Sequence, residues 1–348
     1  MKPVLNVGIL SFGLSGRVFR APILHVNPGF RIVKIMQRSA DNAKEKYPYV
    51  KVVKEPNDII KDSNIDVIVV NTPDHTHYEY TKASLEAGKH VVVEKPFVQD
   101  LTEGQLLIEL ALKKGRVLTV FQNRRWEGDF LTVKQIIHDK LLGRLVEYEA
   151  HLDRFRNFIR DSWKEKPEYH SGTLYNLGTH LVDQALVLFG MPEAVYADLR
   201  KMRTGALVDD LFDLSLFYPD LKVTLKGSYL VREPGPRFLL HGTEGSFVKY
   251  GNDPQEEALS EGRLPDEPDW GKDREENWGI LNTTIEGESV RKKLETKAGV
   301  FHDFYNQLYD TILYEKEVAV KPEEALMAVK IIKLAYESAE RRCAILTK

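Results

Sequence analysis

The residues best placed to do chemistry lie in Val91–Phe97, which reads Val-Val-Val-Glu-Lys-Pro-Phe. An apolar triple running into an acid, a base and a ring is a strand that delivers two charges, Glu94 and Lys95, to its carboxyl end. Ligands bind at that edge in open α/β sheets. Pro96 has its φ fixed and confines Lys95 to extended conformations, so the ammonium is held in place. A second candidate lies in the apolar-rich run Ser171–Asp183, where Asn176, His180 and Asp183 fall at i, i+4 and i+7 on one helical face. The plain alternative for His180 is a core histidine beside the stripe Leu177, Leu181, Ala185 and Leu188.

The turn Ser11-Phe12-Gly13-Leu14-Ser15-Gly16 carries a cofactor signal. It holds the second and third glycines of the dinucleotide fingerprint, with Ser11 in place of the first. Gly13 lets a pyrophosphate approach the backbone, Gly16 lets the helix pack on the strand, and the helix N-terminus faces the phosphates. An acid about 20 residues further on would accept the ribose hydroxyls of NAD. Met36-Gln37-Arg38-Ser39 stands there instead, and the first acid is Asp41. Arg38 and Ser39 suit a 2′-phosphate, which favours NADP over NAD. The next loop, Asn71-Thr72-Pro73-Asp74-His75-Thr76-His77, borders the same expected crevice. Two histidines without a third ligand make a poor zinc site. Loop residues beside a nicotinamide are the better reading, and His77 also suits the cap of the following helix. No metal is expected.

These residues need a frame. Strands are expected at Leu5–Leu10, Phe30–Met36, Val50–Val53, Asp66–Val70, Lys89–Val93 and Val117–Phe121. Helices are expected at Gly13 to about His25, Ala40–Tyr47, His77–Ala87 and Glu103–Lys114. Strict alternation of this kind means a parallel, doubly wound sheet. Further on, Leu145–Asp153, Phe212–Tyr218 and Leu221–Lys226 alternate with period two, so a second sheet has one apolar and one polar face. Phe130, Val133, Ile136, Ile137 and Leu141 form a helical core stripe. Residues 252–297 read as a long surface excursion with a hairpin around Gly287. Val300–Tyr314 and Pro322–Arg342 read as helices, the latter with Leu326, Val329, Lys333, Tyr336 and Ala339 facing inward.

At 348 residues the chain suits two domains. Hydrophobic residues make up 43% and charged residues 29%, as in ordinary globular proteins. A net charge of −3 gives no basic bias toward nucleic acid. The single cysteine, Cys343, excludes a disulfide framework and a cysteine zinc site. No apolar run approaches the ~20 residues that span a bilayer. Met1-Lys2-Pro3 leads toward a strand without an apolar leader, so a cytoplasmic, non-membrane protein is expected.

Taken in order, the glycine turn, Asn71-Thr72-Pro73 with His77, Glu94-Lys95-Pro96 and the His180–Asp183 helix resemble the Gfo/Idh/MocA oxidoreductase family over nearly the whole chain. The likeness is greatest to the NADP-dependent scyllo-inositol dehydrogenase branch, at Gly13–Gly16, Asn123-Arg124-Arg125-Trp126, Gly172–Tyr175 and Leu177–Gly190. The resemblance implies an α/β Rossmann domain over residues 1–122. It implies an α+β domain with a large, mostly antiparallel sheet over 123–348, for substrate binding and oligomerisation. It further implies hydride transfer between NADP or NAD and a sugar or cyclic polyol lying between the domains, with Lys95 and His180 catalytic. Lys95 then stabilises developing alkoxide charge and His180 moves the hydroxyl proton. The family commonly has Asp where Asn176 stands; Asn can orient the imidazole but cannot neutralise its charged form.

The cofactor set is then Phe12, Gly13, Leu14, Ser15, Gly16, Arg38, Thr72, Pro73, His77, Glu94, Lys95 and Asn123. The substrate set is Arg124, Trp126, Arg154, Trp163, Tyr175, Asn176 and His180. Arg156, Arg237 and Tyr305 are further pocket candidates, although each also suits a structural role. The polar sheet face either meets water or pairs with a second copy, and the resemblance implies a homodimer or homotetramer. Two other readings stay open: an NADP-binding sensor with little catalysis, and an aldose or imine reductase on the same scaffold.

Overall fold

The computed structural model describes residues 3–39, 41–169 and 171–348. These divide into two compact units. The first holds residues 1–126, 254–271 and 300–326, and the second holds 127–253, 272–299 and 327–348. The chain thus re-enters the first unit twice.

In the first unit, six parallel strands form one sheet: β1 (Leu5–Ile9), β2 (Phe30–Met36), β3 (Lys51–Val53), β4 (Val67–Val70), β5 (His90–Val93) and β6 (Leu118–Val120). Their order is β3-β2-β1-β4-β5-β6, with the direction of winding reversing between β1 and β4. That reversal is where doubly wound sheets open a crevice. The central strands are largely apolar because helices cover both faces; all four residues of β4 are apolar and buried.

The connecting helices are α1 (Ala21–Val26), α2 (Asn42–Lys46), α3 (Asn57–Ile60), α4 (His77–Glu86) and α5 (Leu101–Lys114). Ala40, at the expected start of α2, lies outside the described residues. Helix α3 was not expected. It presses Ile59 onto β1, where a Cβ at Gly8 would come within 2.3 Å of Ile59 Cγ2. Helix α5 starts two residues before the expected Glu103, because the Asp100 carboxylate caps the Thr102 amide at 2.8 Å. It ends at Gly115 in the left-handed conformation, φ 59°.

The second unit contains helices α6 (Gly128–His138) and α7 (Thr179–Phe189). Its sheet has nine strands: β7 (Leu145–His151), β8 (Ala194–Arg200), β9 (Leu211–Phe217), β10 (Lys222–Ser228), β11 (Phe238–Gly242), β12 (Gly245–Lys249), β13 (Gly279–Ile285), β14 (Glu288–Leu294) and β15 (Ile345–Leu346). The order is β14-β13-β12-β11-β7-β10-β9-β8-β15, antiparallel except where β10 runs beside β7. The expected period-two alternation is present. Tyr148, Ala150 and Leu152 pack with Phe212, Leu214, Leu216, Val223 and Leu225 against α6 and α7.

Residues 252–297 are not a surface excursion. Leu281 on β13 is 1% exposed and Trp270 is 8% exposed. The hairpin at Glu286-Gly287 does form, with φ of 51° and 85°. The first unit takes back helix α8 (Gln255–Glu261) and helix α9 (Asp303–Tyr314). Gln255 knots three segments: it donates to the Trp126 carbonyl at 3.1 Å and accepts from Trp270 Nε1 at 3.1 Å and the Phe301 amide at 2.7 Å. Helix α10 (Pro322–Arg341) starts at the expected proline. Its inner face includes Ala328, Ile331, Ile332 and Ala335 as well as Val329.

Candidate active site

In the first unit the site is built on the carboxyl ends of β1, β4 and β5. After β1 the chain turns through Ser11–Leu14 and enters a wide, π-type helical turn, Ser15–Arg20, that continues into α1. Ser11 does the work of the missing glycine with its side chain: its hydroxyl accepts the Gly13 amide at 3.3 Å, and its carbonyl accepts Asn71 Nδ2 at 2.9 Å. A Cβ on Gly16 would sit 2.2 Å from that carbonyl and 2.9 Å from Asn71 Nδ2. Only glycine permits the turn to lie so close to the strand end. Gly13 faces the other way. The nearest atom to a Cβ there is Ser11 Oγ, at 3.6 Å. The outer side of the turn is therefore open to a phosphate, and the residues present fit a dinucleotide. Leu14 is exposed and Phe12 is packed edge-on against Tyr47.

At the end of β4, Thr72 Oγ1 pairs with Thr76 Oγ1 at 2.6 Å, and Thr76 Oγ1 donates to the Pro73 carbonyl at 2.7 Å. His77 is fully buried at the start of α4. Its Nδ1 lies 2.9 Å from the Pro96 carbonyl and its Nε2 lies 3.1 Å from the Thr72 carbonyl. His77 therefore holds the β4 and β5 loops together, fully buried behind the edge where a cofactor contact was expected of it.

At the end of β5, the Glu94 carboxylate accepts from Ser15 Oγ and, at 2.8 Å, from Arg20 Nη2; its other oxygen accepts the Lys95 amide at 3.1 Å. The Lys95–Pro96 peptide is cis. Burial alone would raise the Glu94 pKa. The Arg20 charge, the Ser15 hydroxyl and the Lys95 charge outweigh it and hold the carboxyl at about 2. Glu94 is thus a fixed anion beside Lys95.

Beyond β2, Gln37 turns inward, accepting the Ala43 amide at 2.9 Å and donating to Asn42 at 2.6 Å, while Arg38 is exposed. Asp41 is engaged by Lys54 at 2.8 Å. Beyond β6, Asn123 is buried. Arg124 pairs with Glu256 at 2.7 Å and Arg125 with Glu324 at 2.6 Å, and Trp126 packs edge-on against Phe304 at 5.6 Å. The expected sugar-binding guanidinium and indole thus each have a structural partner. Tyr305 is likewise a core ring of this unit, 0% exposed.

In the second unit, Asn176 lies in a π-type turn, Leu174–Gly178, that runs into α7. The i, i+4 face read for a regular α-helix therefore does not carry over unchanged from Asn176 to His180. Asn176 Nδ2 donates to Tyr229 Oη at 2.9 Å, and its Oδ1 accepts Lys164 Nζ at 3.0 Å. The Arg156 and Arg203 guanidiniums each lie 4.8 Å from the Tyr229 ring centre. His180 is 6% and Asp183 2% exposed.

The start of this helix is fixed by Asp209, which accepts the Leu174 amide at 2.8 Å and the Tyr336 hydroxyl at 2.5 Å. Burial raises the Asp209 pKa against these bonds. A Cβ on Gly172, φ 122°, would lie 2.2 Å from Asp209 Oδ1, so the approach requires glycine.

Tyr175 stacks on Tyr336 at 5.4 Å, Trp163 carries the Lys164 ammonium 5.5 Å from its ring, and Arg154 Nη1 donates to the Asp153 carbonyl at 3.1 Å. Arg237, 3% exposed, pairs with Glu127 at 3.3 Å and Asp129 at 3.5 Å, which makes it a core residue rather than a pocket one.

Sequence reasoning missed Arg20, Lys164, Asp209 and Tyr229, and it placed Asn71 in the loop without its bond to the Ser11 carbonyl. Arg20 alone left a usable signal, as a cation beside Ala21 and four residues before Leu24 in an otherwise apolar segment. Among the described residues, no cluster of three or more His, Cys, Asp or Glu could hold a metal ion, and no helix is long and apolar enough to cross a membrane.

Comparison with known proteins gives concordant results. Residues 5–122 match "Oxidoreductase family, NAD-binding Rossmann fold", and residues 134–345 match "Oxidoreductase family, C-terminal alpha/beta domain". The chain is 42% identical over 347 residues, 99% of each chain, to the uncharacterised oxidoreductase YdgJ of Escherichia coli strain K12. It is 41% identical over 342 residues, 98% of this chain and 96% of the other, to the scyllo-inositol 2-dehydrogenase (NADP(+)) IolW of Bacillus subtilis. A crystal structure of an oxidoreductase from Bacillus cereus superposes with a TM-score of 0.90 at 34% identity, covering 99% of this chain and 98% of that one.

Proposed function

The chain belongs to the Gfo/Idh/MocA family of NAD(P)-dependent oxidoreductases, and on that premise we propose that it oxidises a hydroxyl of a sugar or cyclic polyol, or reduces the matching ketone, with NADP preferred. The observation that carries the reading is the carboxyl edge of the first unit's sheet. There the open glycine turn and the strand end bearing Lys95 are bonded to one carboxylate, Glu94.

The turn at Gly13–Gly16 holds the pyrophosphate, with Thr72, Pro73 and Asn123 lining the same edge. Arg38, exposed where an acid would select NAD, takes a 2′-phosphate. When bound, the nicotinamide supplies the hydride acceptor or donor. Lys95 hydrogen-bonds the reacting oxygen and stabilises its negative charge as the carbon gives up hydride. His180 takes the hydroxyl proton in oxidation and returns it in reduction. Asn176 orients the histidine without adding a negative charge. Arg154, Trp163 and Tyr175 are the pocket residues of the second unit, and Arg124 and Trp126 those of the first.

The substrate class and the NADP preference also draw support from the 41% identical scyllo-inositol 2-dehydrogenase (NADP(+)). The polar face of the nine-stranded sheet, where Lys222 meets Glu147 and Lys226 meets Glu149 across strands, is proposed as the contact between copies in a dimer or tetramer.

The test follows NADPH absorbance against polyols, aldoses and ketoses, with the wild type and Lys95→Ala. The variant is expected to lose about 100-fold or more in kcat while still binding NADPH. Retained turnover in the variant, or no turnover of any polyol or sugar by the wild type, refutes the reading.

A further inference from the structure

We propose that Arg20 is a positioning residue that ties the seating of the cofactor to the placement of Lys95. The proposal rests on the reading above, in which the glycine turn holds NADP and Lys95 acts on the substrate.

Arg20 closes the π-type turn that Ser15 opens, and it is 0% exposed. Its guanidinium carbon lies 3.4 Å from the centre of the Phe121 ring, the residue just after β6. A planar cation over a ring keeps its rim free to donate in the plane. Its Nη2 donates to the Glu94 carboxylate at 2.8 Å. The same oxygen accepts from Ser15 inside the glycine turn, and the other accepts the backbone amide of Lys95 at 3.1 Å.

One carboxylate therefore bonds the phosphate turn and the catalytic lysine's backbone together. A buried carboxylate needs a counter-charge to stay ionised. Arg20 supplies it from a position braced by Phe121, with the Tyr305 hydroxyl near enough to feel its charge. A displacement of the turn is passed through Glu94 to Lys95. Lysine at position 20 would keep the charge but would lose the guanidinium plane that sits over Phe121. Ser15→Ala would remove a single bond from the same carboxylate.

The test is a double-mutant cycle of Arg20→Lys and Ser15→Ala, read as the NADPH dissociation constant from nicotinamide fluorescence. Each single variant is expected to weaken binding about fivefold, and the double variant also about fivefold, because both act through Glu94; independent effects would multiply to about 25-fold. A second readout needs no turnover. Lysines are reductively methylated with a carbon-13 label, and the Lys95 signal, assigned through Lys95→Arg, is expected to move in both single variants. Multiplying effects on affinity, or a Lys95 signal unmoved in both variants, overturns the proposal. Should Arg20→Lys fail to fold, Phe121→Leu, which removes the ring under Arg20, is read through the same Lys95 signal, and an unmoved signal overturns the proposal. A wild type that binds no NADPH would instead refute the cofactor reading, and the labelled-lysine experiment would still judge Arg20.

Discussion

Replacing Glu94 with glutamine keeps the side chain's shape and removes its charge. Its partner Arg20 is then left as a cation with a side chain 0% exposed, where wild type has a carboxylate at 2.8 Å that is itself only 15% exposed. The depression of the Glu94 pKa from 4.5 to about 2 corresponds to about 3 kcal/mol favouring the charged form in the folded state. Breaking a buried pair from one side costs ~3–5 kcal/mol, so the two routes agree on about 3 kcal/mol. At about 2–4 °C per kcal/mol for a unit of this size, the melting temperature of Glu94→Gln should fall on the order of 10 °C at neutral pH. The pH dependence has a defined sign. A carboxyl whose folded pKa lies below its unfolded value contributes stability that is fully present above 4.5 and is lost as the pH falls toward about 2. Thermal or urea unfolding of both proteins at a series of pH values should therefore show a gap that is constant above pH 4.5 and closes below it. A gap under about 1 kcal/mol at neutral pH, as for an exposed pair, would refute the account of Glu94 as a buried, charge-compensated group.

Three further outcomes are expected. Gly16→Ala forces a Cβ to 2.2 Å from the Ser11 carbonyl, so the turn must shift, and NADPH affinity measured by fluorescence titration should fall about tenfold or more; unchanged affinity would show that the turn does not bind the cofactor. On the polar face of the second sheet, burial lowers the His151 pKa, but hydrogen bonds to Asp153 and Glu149, with their charges, raise it above 6.5 overall. Its stabilising effect is then fully present below pH 6.5 and lost as the pH rises through the raised value. The stability difference between wild type and His151→Gln in urea melts should shrink as the pH rises through that range, and a difference that grows would reverse the assignment. Tyr336→Phe removes the 2.5 Å bond to buried Asp209, and a loss of about 2 kcal/mol in denaturant unfolding is expected; a neutral result would mean that Asp209 is held by its backbone donors alone.

Much of the frame was legible because period and punctuation are local properties. Phe30–Met36 is a strand with the bounds read for it, and Pro322 opens its helix where proline at N1 should. Alternation at Tyr148–Leu152 and Phe212–Leu216 identified the apolar face of the second sheet, since a strand's burial follows its own side-chain period. What failed depended on distant partners. Residues 252–297 look like loop by composition, yet Leu281 and Trp270 are buried because β13 pairs with β12 and Gln255 receives the Trp270 indole. Arg124 and Arg125 were legible as cations at the sheet edge, but their acids, Glu256 and Glu324, lie 132 and 199 positions away and left no local signal. In the site, the residue types at Gly13, Gly16, Glu94 and Lys95 were readable. The bond from Ser15 to Glu94 spans 79 positions, and no pattern in either segment announces it. The π-type turns at Ser15–Arg20 and Leu174–Gly178 were invisible for a similar reason, because an α-helix and a wider turn present nearly the same local sequence.

The route of the chain also bears on how the molecule is made. Phe30 and Phe121 are covered by Phe304, Tyr305 and Tyr309 on α9, and Thr119 Oγ1 donates to the Val320 carbonyl. A ribosome that has finished all six parallel strands has therefore not yet produced the rings that seal them. The nascent first unit waits with an open hydrophobic flank until α9 emerges, after most of the second unit has already been synthesised. Domain-by-domain maturation from the N-terminus is closed to this chain, and a fragment stopped at Trp126 should aggregate rather than fold.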